Sequence, residues 1–261
     1  MRSTQLILAE SLASARSART EPYNRETFVG QVVRLIVPDG RDAGGLRPES
    51  FLVEQVPNWN LRTHFHLQHQ FQLFVAGGGW LGRNPIAPLT VHYATPHSAY
   101  GPLLAGEQGI SYLTMRVVSD PGAWYLPESR ARLRTDGPKR QVHAHPSVVR
   151  GADALRTLAD AEAETLIPLA EDGLGAWIVR LPPHARTPAP AGAPLGAGRF
   201  HVVTQGGAAF PSGSETALAT VFASAEDGFD LQAGPDGAEI VVMQFPAMAV
   251  EGAVCGSPQA A

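Results

Sequence analysis

The sequence predicts an all-β chain of two barrels, and three observations predict it. Gly (27) and Pro (22) make up nearly a fifth of the 261 residues, and both interrupt helices. They exceed the roughly 12% such residues average and fall between short runs rich in β-branched and aromatic residues. The second half then repeats the strand and turn signals of the first, one barrel per half.

Composition excludes several classes. A hydrophobic fraction of 44% and a charged fraction of 17% describe a globular chain without a bias to disorder. A net charge of −4 with 20 basic residues makes no basic stripe, which speaks against nucleic acid as a partner. No apolar run approaches the roughly 20 residues of a membrane span, so no membrane partner is expected. The apolar stretch at 6–9 is broken by Glu10 and is shorter than the ~7 to 15 residues of a secretory core. Residues 1–22 therefore read as an N-terminal arm, a short amphipathic helix or a frayed end. One cysteine, Cys255, allows no internal disulfide, and a cytoplasmic location is expected.

In chain order, residues 28–37 read as a first strand that ends at Pro38-Asp39-Gly40. Strand-like runs follow at 50–56, 63–76, 89–94 and 110–118. They are parted by Pro57-Asn58, Gly77-Gly78-Gly79, Asn84-Pro85 and the turn at 106–109. This places a first barrel over 23–118. Residues 119–170 form a connection, in which Arg130, Arg132, Arg134, Lys139 and Arg140 lie among prolines and read as a solvated segment. His143 and His145 in it are expected to be exposed. Its one convincing helix covers 151–166, with Asp153 as cap and Leu155, Leu158, Glu162 and Leu166 as stripe. A second barrel over 171–249 has strands at 176–181, 199–204, 216–223, 229–233 and 240–245, and 250–261 is a flexible tail.

The chemistry concentrates at 63–77. Alternate residues of a strand share a face, which groups His64, His66, Gln68, Gln70 and Gln72 opposite Phe65, Leu67, Phe71 and Leu73; His69 breaks the pattern. Buried polar groups need partners, and imidazoles two residues apart can converge on one metal ion.

The stretch resembles the first motif of the cupin family, His-x-His followed by Glu and, six residues later, Gly. Here His64, His66, Gln70 and Gly77 stand at that spacing, with Gln in place of Glu. The segment 92–97 resembles the second motif in part. Thr95-Pro96-His97 keeps its place, whereas His92, Ala94 and Gly101 replace the usual Pro, Gly and Asn. The resemblance covers the first half and implies two double-stranded β-helix (jelly-roll, RmlC-like) barrels in one chain, a bicupin.

It also implies His64, His66 and His97 as metal ligands. Gln70 is either a fourth ligand or a residue that orients a histidine or a bound water. Three imidazoles with a carboxylate leave a divalent ion near +1, and with an amide near +2. Zn, Fe, Ni, Cu and Mn all suit such donors. Gln68, Gln72, His92, Tyr93 and Tyr100 are expected near the pocket, with Tyr100 as a catalytic proton or hydrogen-bond donor.

Aligning Gly206 with Gly77 puts Arg199 at the Gln70 position and Ala193 and Leu195 at the histidine positions. The second barrel is thus expected to have no metal site. Two functions follow from the resemblance: a metal-dependent enzyme on a small organic substrate (dioxygenase-like, isomerase or lyase), or a non-catalytic metal or small-molecule binder. Exposed barrel edges suggest a homodimer.

Overall fold

The computed structural model describes residues 7–38, 45–193 and 196–249. The Asp39-Gly40 turn, Leu195 and the 250–261 tail with Cys255 lie outside the described residues. The elements in chain order are β1 (Ile7–Glu10), α1 (Leu12–Ala18), β2 (Thr20–Arg25), β3 (Phe28–Ile36), β4 (Glu49–Gln55), β5 (Asn60–Leu61) and β6 (His64–Phe65). Then come β7 (Gln70–Leu81), β8 (Asn84–Ile86), β9 (Val91–Ala94), β10 (Leu103–Arg116), β11 (Trp124–Tyr125), β12 (Gln141–Ala144) and α2 (Ala152–Arg156). The second half contributes β13 (Glu162–Ile167), β14 (Gly175–Leu181), β15 (Arg186–Pro188), β16 (Gly198–Phe210), β17 (Gly213–Thr216), β18 (Thr220–Ser224) and β19 (Asp230–Phe245).

These strands divide into two antiparallel barrels, as the composition predicts. In the first, β12-β9-β7-β10-β4-β3-β2 are neighbours, with β5 on β10 and β8 on β7. In the second, the order is β1-β18-β16-β19-β14-β13, with β15 on β19 and β17 on β16. The compact units follow these sheets: Glu21–Val32 with Pro38–His143, and the described part of Met1–Thr20 with Val33–Val37 and Ala144–Met248. Of the expected 1–22 arm, the described residues form β1, α1 and the start of β2. Ile7–Glu10 pairs with Ala223–Thr220 and supplies an edge strand to the second barrel.

The two barrels repeat each other residue by residue. Gly77 and Gly206 both take left-handed backbone, at φ 71° and 70°. A Cβ on Gly77 would lie 2.1 Å from Gly109 O, and one on Gly206 would lie 2.1 Å from Gly237 O. Only glycine allows a second strand so close at that φ. With those glycines aligned, the interior layers correspond. An apolar layer of Val53, Phe74 and Tyr112 in the first barrel matches Val179, Val203 and Ile240 in the second. The next layer is His92, Gln72, Thr114 and Phe51, against Val221, His201, Val242 and Trp177. The third is Ala94, Gln70, Arg116 and Glu49, against Ala223, Arg199, Gln244 and Gly175. Gln70 and Arg116 of one barrel thus exchange places as Arg199 and Gln244 of the other.

Several expected elements differ. The Gly77-Gly78-Gly79 and 106–109 turns lie inside the strands β7 and β10, and the expected strands at 229–233 and 240–245 are one strand, β19. The 151–166 helix stops at Arg156, and Glu162–Ile167 is a strand instead, paired with β14. Of the helix's four stripe positions only Leu155 is buried, so packing gave the helix little support, whereas β14 offered an open edge. The 63–76 strand is interrupted after Phe65, which pairs with Trp124, and resumes at Gln70. The break is held by Asp120, whose Oδ2 accepts the amides of Leu67 (2.7 Å) and Gln68 (3.1 Å).

Candidate functional site

The polar layers of the first barrel bring together His64, His66, Gln70, His92, Tyr100 and Arg116, all at most 9% exposed. β6 delivers the first histidine by pairing with Tyr100: His64 N donates to Tyr100 O at 3.1 Å and Tyr100 N to His64 O at 3.0 Å. The Tyr100 ring then stands among the imidazoles, with centroids 4.6 Å from His64, 4.9 Å from His92 and 6.3 Å from His66.

Each histidine has an assignable tautomer. His64 Nδ1 lies 2.8 Å from Arg62 O, which can only accept, so Nδ1 carries the proton. Its Nε2 is then a lone pair, and the Tyr100 hydroxyl donates to it at 3.1 Å. His66 Nδ1–H donates to Asp120 Oδ1 at 3.1 Å. His92 Nδ1–H donates to Gln72 Oε1 at 2.8 Å, and its buried Nε2 has no hydrogen-bond partner. Three imidazoles therefore present Nε2 lone pairs while oxygens hold their Nδ1–H groups. This is the arrangement by which proteins orient histidine ligands.

Burial keeps these rings neutral. Desolvation, then the neighbouring His66, brings His64 down to about 3. Burial and the Arg116 charge lower His66. Burial, His143 and His64 hold His92 well below the usual range. Against the cost of its own burial, the hydrogen bond from His66 and the charge of Arg116 hold Asp120 down to about 2. Burial raises the Tyr100 phenol above its ordinary range, so it stays protonated.

Arg116 ties the group together. Nη1 donates to Glu49 Oε1 at 2.6 Å. Nε and Nη2 donate to Gln70 Oε1 at 3.2 and 2.8 Å. Nη2 also stands 3.1 and 3.5 Å from the two nitrogens of His66, beside the ring. Gln70 Nε2 in turn donates to the Tyr100 hydroxyl. One guanidinium against the carboxylates of Glu49 and Asp120 gives a local charge of +1 − 2 = −1.

The structure thus sorts the expected site residues. His64 and His66 come together, with Tyr100 between them and His92. Gln70 joins them, but its oxygen faces Arg116. His97 is held beside His66, its N donating to His66 O at 2.8 Å, but at φ 55° its ring packs on Phe65 (5.5 Å) and its Nδ1 accepts the Arg134 amide at 3.4 Å. Tyr93 turns to the opposite face, against Phe71 and His69, and Gln68 is at the strand break. His143, expected to be exposed, is only partly so; β12 stacks its ring on His92 at 4.5 Å.

Whether these residues suit a divalent ion can be judged from their donor atoms. Among the described residues no three His, Cys, Asp or Glu side chains are gathered around one point, and the set of His64, His66, Gln70 and His97 is not assembled. The donor atoms of His64, His66 and His92 suit an ion in kind: the His92 Nε2 has no partner, while the His64 Nε2 accepts the Tyr100 hydroxyl and Arg116 Nη2 lies 3.5 Å from the His66 Nε2. The local charge fits as well. The carboxylate absent at position 70 reappears as Asp120 behind His66, so a dication would bring −1 to +1.

No protein-family model matches the sequence, and no curated protein matches it. Solved structures do. Salicylate 1,2-dioxygenase from Pseudoaminobacter salicylatoxidans with gentisate is similar at TM-score 0.57 and 13% identity, over 95% of this chain and 83% of that one. Oxalate decarboxylase from Lactobacillus farciminis, in a formate complex, gives TM-score 0.57 and 13% identity over 92% and 86%. A bacterial pirin from Escherichia coli in complex with nickel(II) gives 0.54 and 11% over 92% and 99%. The fold is that of the cupins. More narrowly it is the bicupin arrangement, two such barrels in one chain.

Proposed function

We propose that the chain is a metal-dependent bicupin enzyme acting on a small organic molecule, with its centre in the first barrel. The carrying observation is the set of three buried imidazoles with anchored Nδ1–H groups and unprotonated Nε2 atoms. His64, His66 and His92 would hold the ion, and Asp120 would strengthen His66 as a donor. When bound, Fe, Mn, Ni, Zn or Cu would supply Lewis acidity or dioxygen chemistry. Small organic molecules accompany two of the similar structures, gentisate and formate, in keeping with dioxygenase-like or isomerase/lyase chemistry.

The chain's own residues have separate tasks. Tyr100 stays protonated; its hydroxyl donates to His64 Nε2 in the metal-free chain and, with an ion on that nitrogen, would be released to donate to a bound molecule. Gln70 holds that hydroxyl and is itself held by Arg116. Burial excludes bulk water and strengthens each of these interactions.

A second reading is a non-catalytic metal or small-molecule binder, favoured by the near-complete burial of Tyr100, 4% exposed. Loading the protein anaerobically with each metal and measuring oxygen uptake with diketones, phenols and thiols separates the two. Substrate-dependent turnover lost in His64→Ala supports the enzyme. Stoichiometric metal without turnover supports the binder. Absence of stoichiometric metal under every loading condition contradicts the enzyme and the metal binder alike.

A further inference from the structure

The second barrel has no histidine pair, yet its interior is not wholly apolar. Arg199 and His201 lie two residues apart on β16, in the layers that hold Gln70 and Gln72 in the first barrel. His201 is 0% exposed; the Val221 carbonyl stands beside its ring, and neither ring nitrogen makes a well-formed hydrogen bond. Arg199 is 3% exposed; its Nη2 donates to Asp227 O at 2.6 Å, and its Nε has no hydrogen-bond partner. Buried polar atoms without partners are few in folded proteins, and two such side chains in adjacent layers call for an explanation, a bound water, ion or ligand among them.

The surroundings define what fits. Phe229 packs on the His201 ring at 4.8 Å and Phe210 at 6.2 Å, edge-on. The same two phenylalanines line a cleft of about 510 Å³, with Pro211, Gly228, Arg186 and Asp230. Arg199 and His201 lie buried outside the lining of this cleft, and Gly228, which lines it, follows Asp227, whose carbonyl holds Arg199. The buried Asp227 carboxylate accepts the Ser224 hydroxyl and its charge also acts on Arg199, so an incoming carboxylate would share that guanidinium with it. Trp177 shares the His201 layer and lies over Gly175, where a Cβ would come 2.6 Å from its ring.

We propose that the second barrel is a binding site for a small carboxylate with an aromatic or branched apolar body. Arg199 Nε–H and the His201 imidazole take the carboxylate, a charge-assisted pairing. Phe210 and Phe229 enclose the apolar body, and Gly228 gives the covering loop room to admit it. The first barrel is not involved, so this site stands or falls independently of the metal reading.

Isothermal titration of the full chain with benzoate and phenylacetate tests this, with phenylacetamide as the uncharged control. The expected result is one site for the carboxylate and at least about tenfold weaker binding of the amide. Arg199→Gln, which places in this layer the residue that the first barrel has there, should lose the carboxylate preference. His201→Phe should weaken binding at least about tenfold while raising the melting temperature, because it removes an unpartnered buried group. His201→Gln provides the same comparison should the larger ring perturb folding. His64→Ala should bind as the parent does. Absence of carboxylate binding in the parent would overturn the proposal, as would binding unchanged in Arg199→Gln and His201→Gln.

Discussion

Asp120 does its work 54 positions away from His66 in sequence, and a single hydrogen bond carries it. Replacing it by Asn keeps the shape but removes the charge that makes His66 a better donor. Metal affinity in Asp120→Asn, measured by competition with a chromophoric chelator, should fall about 10- to 100-fold. Tyr100→Phe removes the acceptor of Gln70 Nε2–H and the donor to His64, and leaves a buried amide unpaired. It should cost about 1–3 kcal/mol in urea unfolding of the metal-free protein. The imidazoles also set the response to acid. His201, lowered by burial and by Arg199, is held at about 3 against an ordinary value of 6.5. Between those values the unfolded chain binds a proton that the folded chain does not. Stability is therefore fully present above about pH 6.5 and is lost progressively as pH falls toward 3. His201→Phe should flatten the stability-versus-pH curve in that window by up to about 1.4 kcal/mol per pH unit, one proton's worth.

At the scale of elements, the close strand crossings explain why some sequence signals were readable and others were not. The spacing from His64 to Gly77 was legible because a strand position with left-handed backbone and a close neighbouring strand admits few residues besides glycine. Gly77→Ala should accordingly cost about 2 kcal/mol or more, from the left-handed backbone and the clash with Gly109 O. Gly206→Ala should do the same in the second barrel, as chemical denaturation of the two variants will show. The alternation through 63–76 misled at Gln68, because side chains reach in from 50 residues away to break the strand. Asp120 lies in a segment that reads only as a Pro-rich connection. His97 carries a local motif, but its positive φ turns the ring onto Phe65. No pattern of sequence spacing shows that, whereas His92 was legible only as a pocket neighbour.

For the whole molecule, two barrels and their internal alignment were legible from turn glycines and strand spacing. The exchanged Arg–Gln pair was half legible: position 199 followed from counting, whereas its partner on β19 needed the register. Divergence of the repeats gives each barrel its own chemistry, imidazoles in one and a guanidinium with a lone imidazole in the other. The central claim is that His92, and not His97, completes the metal-binding histidines of the first barrel. Elemental analysis of metal-loaded parent, His64→Ala, His92→Ala and His97→Ala, each checked for folding by circular dichroism, tests it most directly. One bound divalent ion per chain is predicted in the parent and in His97→Ala, with loss in His64→Ala and His92→Ala. Retention of the ion in folded His92→Ala together with its loss in His97→Ala would contradict the account.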